Sequence, residues 1–444
     1  MTFATDTSEF DLVRLSQVLH DVAEPLPHPA NISGFGPHFD RFGNARVVLL
    51  GEATCGSSEF QRARAAITRR MIERHGFAIV ALEADWWDIV RLDHYVRHLP
   101  VPTDTAQGSE SFPAWRWRNR ETLEFVLWLR EHNEGLPPAQ RVVLCGLDLY
   151  APGDALGTLL ACLDPADPAA AAEGRRHSAL VMSQAVMSQA SQQRPASHEP
   201  AMLAQLGERL ADRLAGLDTA AAGFPDTDGK RALMGAAANY YRALCRGMPD
   251  SRNLRARQMF TTLKSVMAHA AEPARAVVWG HNVHIGNAAA NVIGWGGGFS
   301  LGELCRLAYG EEAVAIGMGT DHGLFAAAEQ WGGVMGVKPL RPARSDSWEH
   351  VFRHAGFARS LTDWRSPARR TLAETLRRAL GERAIGPVHD ATGDLCDDYF
   401  PAMLGDEFEA YVWFEETTPV TPLGAQCRDG GAQTWPFALS GAAG

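Results

Sequence analysis

Lysine is almost missing from this chain: only Lys230, Lys264 and Lys338 occur among 444 residues, and arginine supplies nearly all the positive charge. Combined with a formal net charge of -10, that argues against a phosphate-binding surface, so no nucleic-acid partner is expected. An arginine bias of this kind goes with a GC-rich genome. No apolar run approaches the ~18 residues a membrane span needs, and no membrane partner is expected. The opening MTFATDTSEFDLVRL is acidic where a signal peptide would be basic and then apolar, so the expected address is the cytoplasm. The seven cysteines are odd in number and scattered without a CxxC pair, which suggests neither a disulfide framework nor a zinc knuckle. Each reads as a free thiol, most of them small buried apolar residues.

What is present is a series of short, β-branched, continuous apolar runs that stop at glycine or a polar residue: ARVVLLG (45–51), FAIVALE (77–83), RVVLCGLD (141–148) and ARAVVWGHN (274–282). Runs of that length without alternation belong to strands buried on both faces, and the first two are separated by an amphipathic helical pattern, so the chain predicts a mainly parallel α/β sheet flanked by helices. AVAIGM (313–318), AIGPVHD (384–390) and EAYVWFEE (409–416) read as three further strands. Between about 151 and 260 strand signals vanish and Ala, Leu, Arg and Gln dominate, which predicts a helical insertion. The expected organisation is 1–150 and 263–444 as two parts of one α/β core, with 151–262 as an inserted helical lobe.

Ligands of open α/β sheets lie beyond the carboxyl ends of the strands. Those ends here carry Glu52, Glu83, Asp148, and His281 with His284. Titratable groups at the same end of four strands are the strongest functional signal in the chain. In GEATCGSSEF, Gly51 and Gly56 permit a tight turn, and Glu52 and Cys55 are expected at the start of the next helix, where its dipole favours a thiolate. Glu59 with Arg62 or Arg64 follows one turn later; an inert, packed Cys55 and a capping Glu52 are the bland alternative. HNVHIG supplies imidazoles three apart, whose spacing alone does not decide between metal ligands and acid/base groups. Trp115 and Trp117, in a Pro- and Arg-rich stretch, either wall a pocket for a bulky ligand or cap the core. GWGGGF (294–299) lacks the lysine and hydroxyl of a phosphate loop and reads as a flexible loop near the site.

GEATCGSSEF, ITRRMIERHGFAIVALEADW, FPAWRWRNRETLEFVLWLREHN, VVLCGLDLY, NLRARQM, WGHNVHIGN and the segment from RAIGPVHD to TTPVTPL together resemble the erythromycin esterase family, which includes succinoglycan-biosynthesis-related homologues, over about 47–423. The resemblance implies an α/β core with a helical lobe covering a cleft, and hydrolysis of a cyclic ester by an activated water with no metal or other cofactor. It carries catalytic roles to Glu52, Glu83, Arg64, His281 and His284, and leaves Trp115, Trp117, Asp148 and Tyr399 as substrate-binding residues. Two positions depart. Where the family reads Gly-Glu-x-Thr-His-Gly this chain has Cys55, and where it reads Ser-His-Tyr this chain has Asp397, Asp398 and Tyr399. A histidine near pKa ~6.5 accepts a proton from water, whereas a thiol near ~8.5 is a poor base but a strong nucleophile once ionised. The expected function is hydrolysis of an ester, lactone or related acyl bond of a small molecule, with Cys55 as nucleophile or as a tuned substitute. The alternatives are acyl transfer, cyclisation or elimination on the same scaffold, or a small-molecule-binding homologue without catalysis.

Overall fold

The computed structural model describes residues 9–100, 114–148, 251–270 and 273–423, save 331–332, 366–369 and 391–392, together with 168, 169 and 172. The helical lobe expected over 151–262 lies almost wholly outside the described residues; its last part opens the helix Ser251–His269.

The main sheet is built from β1 (Glu24–Pro25), β2 (Val47–Leu50), β3 (Ile79–Asp85), β4 (Val143–Asp148), β5 (Ala276–Trp279), β6 (Ala313–Ala327), β7 (Gly336–Leu340), β8 (Arg359–Asp363) and β11 (Ala410–Thr417); β9 (Ala379–Arg383) and β10 (Tyr399–Met403) form a separate antiparallel ribbon. Its order is β1-β8-β11-β6-β2-β5-β3-β4, with β7 on the far end of β6. Every pairing from β11 through β4 is parallel, and the strands β1, β7 and β8 pair antiparallel. The protein is therefore α/β with a mainly parallel central sheet, as the buried apolar runs require.

Alternate side chains of each strand serve opposite layers. Val48, Leu50, Val80, Leu82, Val277 and Trp279 pack against the helices Ser58–His75 and Arg120–Glu134, while Val47, Leu49, Ile79, Ala81, Ala276 and Val278 meet Met259, Leu263, Leu301 and Trp348 on the other side. Neither face of these strands is wet, so no polar alternation was available in the sequence.

Two strand expectations are corrected. The segment 384–390 is not a strand: it makes only isolated bridges, Thr54 with Ile385 and Ala328 with Val388, and Pro387 can give no ladder hydrogen bond. The strand there is the preceding β9, whose polar ALGER hides its role because the ribbon it forms is only two strands wide. β6 runs on to Ala327 rather than ending near Met318, its distal half pairing with β11 and then β7.

No helix among the described residues is long and apolar enough to cross a membrane. No group of three or more His, Cys, Asp and Glu side chains among them is placed to hold a metal ion.

Candidate active site

Because β2, β5, β3 and β4 are adjacent and parallel, their carboxyl ends bring Glu52, His281, Glu83 and Asp148 to one edge. Glu83 is aimed by an irregularity: the β3–β4 register shifts between Leu82 and Asp85, a bulge that re-directs the side chain there. Gly146 of β4 permits it, since a Cβ at that position would lie 2.8 Å from the Ala84 carbonyl oxygen and 2.6 Å from that of Asp85.

Three arginines converge on these carboxylates. Arg64 occupies an inward position of the Ser58–His75 helix, in register with Phe60, Ile67 and Met71, and is therefore fully buried. Its Nη2 donates to Glu52 Oε2 at 2.6 Å. Arg116, from the loop before the Arg120–Glu134 helix, bridges Glu52 Oε1 at 2.9 Å and Glu83 Oε2 at 3.1 Å. Arg255, in the first turns of the Ser251–His269 helix, donates to Asp148 Oδ2 at 2.5 Å and to Glu83 Oε1 at 2.8 Å. Burial alone would raise the Glu83 pKa, but the Arg116 and Arg255 guanidiniums beside it outweigh that and hold the carboxyl well below the usual glutamate range. Sequence reasoning missed Arg116 and Arg255; the WRWR and NLRAR runs were the available signal.

The two imidazoles differ. Glu83 Oε2 accepts the His281 backbone N–H at 2.7 Å, which seats the turn that follows β5. His281 Nδ1 accepts from the Val283 N–H at 3.3 Å, and its Nε2 lies 3.3 Å from the Ile385 carbonyl. A carbonyl only accepts, so Nε2 carries the proton and the ring is neutral. His284 Nε2 lies 2.9 Å from Arg255 Nη1 and 3.5 Å from Glu83 Oε1. A guanidinium only donates, which leaves a lone pair on Nε2 and the proton on Nδ1. Burial, opposed by Glu83 and reinforced by Arg255, pushes the His284 pKa far below the ordinary value; burial also lowers that of His281. His284 and Arg255 keep 26% and 27% of their side chains exposed, whereas Glu52, Arg64 and Arg116 are sealed.

Cys55 is not at a helix start. The helix begins at Ser58, after Ser57 as N-cap, and Cys55 sits in the turn before it, buried, with its N–H on the Ile385 carbonyl at 3.3 Å. Burial pushes the thiol pKa well above its usual value; Glu52 and Glu83 add to the rise, and Arg116 and Arg64 do not offset it. The expected place of Cys55 at the helix start is thus corrected to a buried position in the turn before it, where burial raises the thiol pKa. Native protein treated with iodoacetamide near neutral pH should be alkylated at the exposed Cys396 before Cys55, as peptide mass mapping would show. Modification of Cys55 first would contradict this assignment.

The remaining expected residues divide. Trp117 is fully buried, with the Arg64 and Arg116 guanidiniums 5.9 Å and 5.2 Å from its ring centre, so it backs the arginines from the core side. Trp115 is half-buried one residue before Arg116. Glu59 and Arg62 are turned away: Glu59 takes the Thr418 N–H and hydroxyl, each at 2.8 Å, and Arg62 meets Glu124 at 3.1 Å. Tyr399 stands apart on β10, with Arg383 and Arg344 5.1 Å and 5.5 Å from its ring centre. Beside it, Asp398 holds His389 Nε2 at 3.0 Å, an imidazole that the sequence reading passed over. The GWGGGF segment is tied down rather than loose, since Asn253 donates to the Gly297 carbonyl at 3.1 Å and accepts the Phe299 N–H at 2.8 Å.

Gly51 is needed for close approach. A Cβ there would lie 2.0 Å from Asn282 Oδ1, and Asn282 is bonded to Glu52 O through its N–H at 3.0 Å. Gly51→Ala should displace the turn carrying both histidines and lower thermal stability by about 1–3 kcal/mol, the usual cost of overpacking. Calorimetry checks this, and an unchanged melting temperature would contradict it.

A mainly parallel sheet carries arginine-bound carboxylates and two histidines at its carboxyl edge, and comparison with known proteins agrees on the fold. A protein from Bacillus cereus superposes with a TM-score of 0.70 at 17% identity, covering 93% of this chain and 99% of its own. A succinoglycan biosynthesis protein gives 0.68 at 17% identity over 94% and 100%, and a histidine-to-asparagine mutant of the erythromycin esterase EreC, in its open conformation, gives 0.62 at 19% identity over 90% and 98%. At such identities these likenesses speak for the fold. The sequence profile of the erythromycin esterase family matches residues 72–417, and the chain belongs to that family. Membership places it broadly among hydrolase-like proteins. The matched span begins after Glu52, Cys55 and Arg64; Glu52 joins the site through Arg116, and Arg64 through Glu52.

Proposed function

We propose that the protein hydrolyses an ester or lactone of a small molecule with a water activated by His284. The observation that carries this reading is the His284–Arg255 contact: a neutral imidazole whose lone pair is covered by a guanidinium, both partly open, above carboxylates that are fully engaged. Glu52 and Glu83 each hold arginine, so they orient cations. An ester carbonyl that accepts a hydrogen bond from Arg255 Nη1 draws that donor away from His284. The same event polarises the carbonyl and uncovers the base. Water then gives its proton to His284 Nε2 while its oxygen bonds to the carbonyl carbon. The oxyanion is held by Arg255, the bond to the leaving oxygen breaks, and the imidazolium returns the proton to that oxygen. The products are an acid and an alcohol, or a ring-opened hydroxy acid.

Three carboxylates, Glu52, Glu83 and Asp148, are met by the three guanidiniums of Arg64, Arg116 and Arg255, a balance suited to a substrate of low charge rather than a polyanion. Incubation with macrolide lactones, erythromycin included, and with simple esters should yield at least one product heavier by one water, read by mass spectrometry. Intact substrates throughout, with binding still measurable, would instead support the non-catalytic alternative.

A further inference from the structure

The two positions at which the chain departs from the family pattern, Cys55 and Asp398, meet on one stretch of backbone. β2 stops at Leu50, opposite Ile316 of β6, and β6 runs on to Ala327. The turn after β2 and the far end of β6 therefore stand together beyond the carboxyl edge, joined by the Ala326 N–H on the Gly56 carbonyl at 3.1 Å. Residues 384–389 cross both as a strap. On one side the Ile385 N–H donates to the Ala53 carbonyl at 2.8 Å, and the Ile385 carbonyl accepts the Cys55 N–H at 3.3 Å. On the other, the Ala328 N–H donates to the Pro387 carbonyl at 2.9 Å and the His389 N–H to the Ala328 carbonyl at 3.0 Å. The Ile385 side chain is buried with Phe325, Ala327 and Leu340.

The Ile385 carbonyl has a second donor, His281 Nε2, at 3.3 Å. One oxygen thus receives both the turn of Cys55 and the imidazole that opens the turn of His284. His281 is the N-cap of the short helix Asn282–Ile285, with its Nδ1 accepting the Val283 N–H. That cap needs a lone pair on Nδ1, so the ring proton must stay on Nε2, and the Ile385 carbonyl is the acceptor that keeps it there.

Asp398 ties the strap at both ends. Its main-chain carbonyl accepts the Ala384 N–H at 2.8 Å, and its Oδ1 accepts from His389 Nε2 at 3.0 Å. Both residues are buried, and the Phe325 ring stands edge to face against the imidazole, 5.2 Å between centres. His389 Nδ1 has no hydrogen-bond partner among the described residues, so a proton there would lack an acceptor and belongs on Nε2. Arg341 lies 3.7 Å from the other carboxylate oxygen of Asp398.

We propose that His389 and Asp398 are positioning residues: their hydrogen bond clamps the 384–389 strap, and the strap, through the Ile385 carbonyl, holds the His281 ring in the form that caps the turn carrying His284. The catalytic consequence rests on the reading of His284 as the base, whereas the positioning itself does not. Without the clamp the strap keeps its links to Ala53 and Ala328, so the effect is local loosening rather than unfolding.

Two disruptive variants and one conservative variant test this. His389→Phe keeps a ring against Phe325 and loses the donor, Asp398→Ala loses the acceptor, and His389→Gln keeps an N–H near the place of Nε2. Exchange of the His281 Nε2 proton and of the Cys55 and Ile385 amides, followed by NMR, is read first because it requires no substrate. All three protons should exchange slowly in the wild type. Either disruptive variant should speed them about tenfold, the worth of one hydrogen bond, with the β5 amides of Val277 and Val278 unchanged. His389→Gln should restore slow exchange. If one disruptive variant does not fold, the other carries the test, and failure of both to fold would overturn a local role. Protons as slow as in the wild type would overturn the clamp. Acceleration extending equally to Val277 and Val278 would also overturn it, leaving the pair as plain stabilisers. On an accepted ester, His389→Phe should then lower kcat about tenfold at unchanged KM, with recovery in His389→Gln. An unchanged kcat despite faster His281 exchange would overturn the link to catalysis. If no ester is hydrolysed, the hydrolytic reading fails and the exchange result still decides the clamp.

Discussion

Glu83→Gln should be the most damaging single-atom change in the molecule. Glu83 accepts from Arg116, Arg255 and the His281 backbone N–H at once, so the amide leaves two guanidiniums short of a counter-charge and the histidine turn short of its anchor. Breaking one side of a buried ion pair costs about 3–5 kcal/mol, and this carboxylate serves two pairs. Denaturant unfolding is expected to show a loss of that order. Hydrolysis should fall with it even in the fraction that stays folded, because Arg255 and His284 both lose their reference point. A variant of wild-type stability would mean that the arginines are held by their other contacts and that Glu83 is a passenger.

His284→Asn should separate chemistry from stability. The side chain is partly exposed and contributes a lone pair rather than a buried packing contact. Its removal should cost about 100- to 10,000-fold in kcat, the range for a general base, with little change in melting temperature. The pH dependence has a defined sign. Burial lowers the His284 pKa below the usual ~6.5, so the base stays unprotonated, and the acid limb of kcat/KM should lie below pH ~6. For stability the same shift runs in the same direction: the unfolded imidazole takes up a proton near ~6.5 that the folded one refuses, so stability is lost as pH falls from there. An acid limb near ~6.5 that survives in His284→Asn would assign it to another group.

The strand ends were legible because geometry and sequence coincide there. A buried parallel strand is a continuous apolar run, its stop is visible, and Glu52, Glu83, Asp148 and His281 mark four stops on adjacent strands. Their arginine partners were not legible from that rule, since Arg116 comes from a loop and Arg255 from a helix more than a hundred residues downstream of β4. Arg64 was separated from Arg62 only by resemblance, although an arginine on the apolar stripe of Phe60, Ile67 and Met71 is a conflict that a helical wheel reveals. The charge state of Cys55 depends on the balance of burial against four neighbours, two of each sign, which no local pattern contains. By contrast, the misplaced strand at 384–390 was avoidable: Pro387 already argued against a ladder.

In the proposed mechanism His284 activates water and Cys55 is not a nucleophile. It is tested most directly by measuring hydrolysis of one accepted ester by Cys55→Ser and His284→Asn side by side, with mass spectrometry of the quenched enzyme for an acyl adduct on Cys55. Cys55→Ser should retain activity within about tenfold, no adduct should form, and His284→Asn should be nearly inactive. An acylated Cys55 in the wild type, with Cys55→Ser inactive, would contradict the account and restore the thiol as the attacking group.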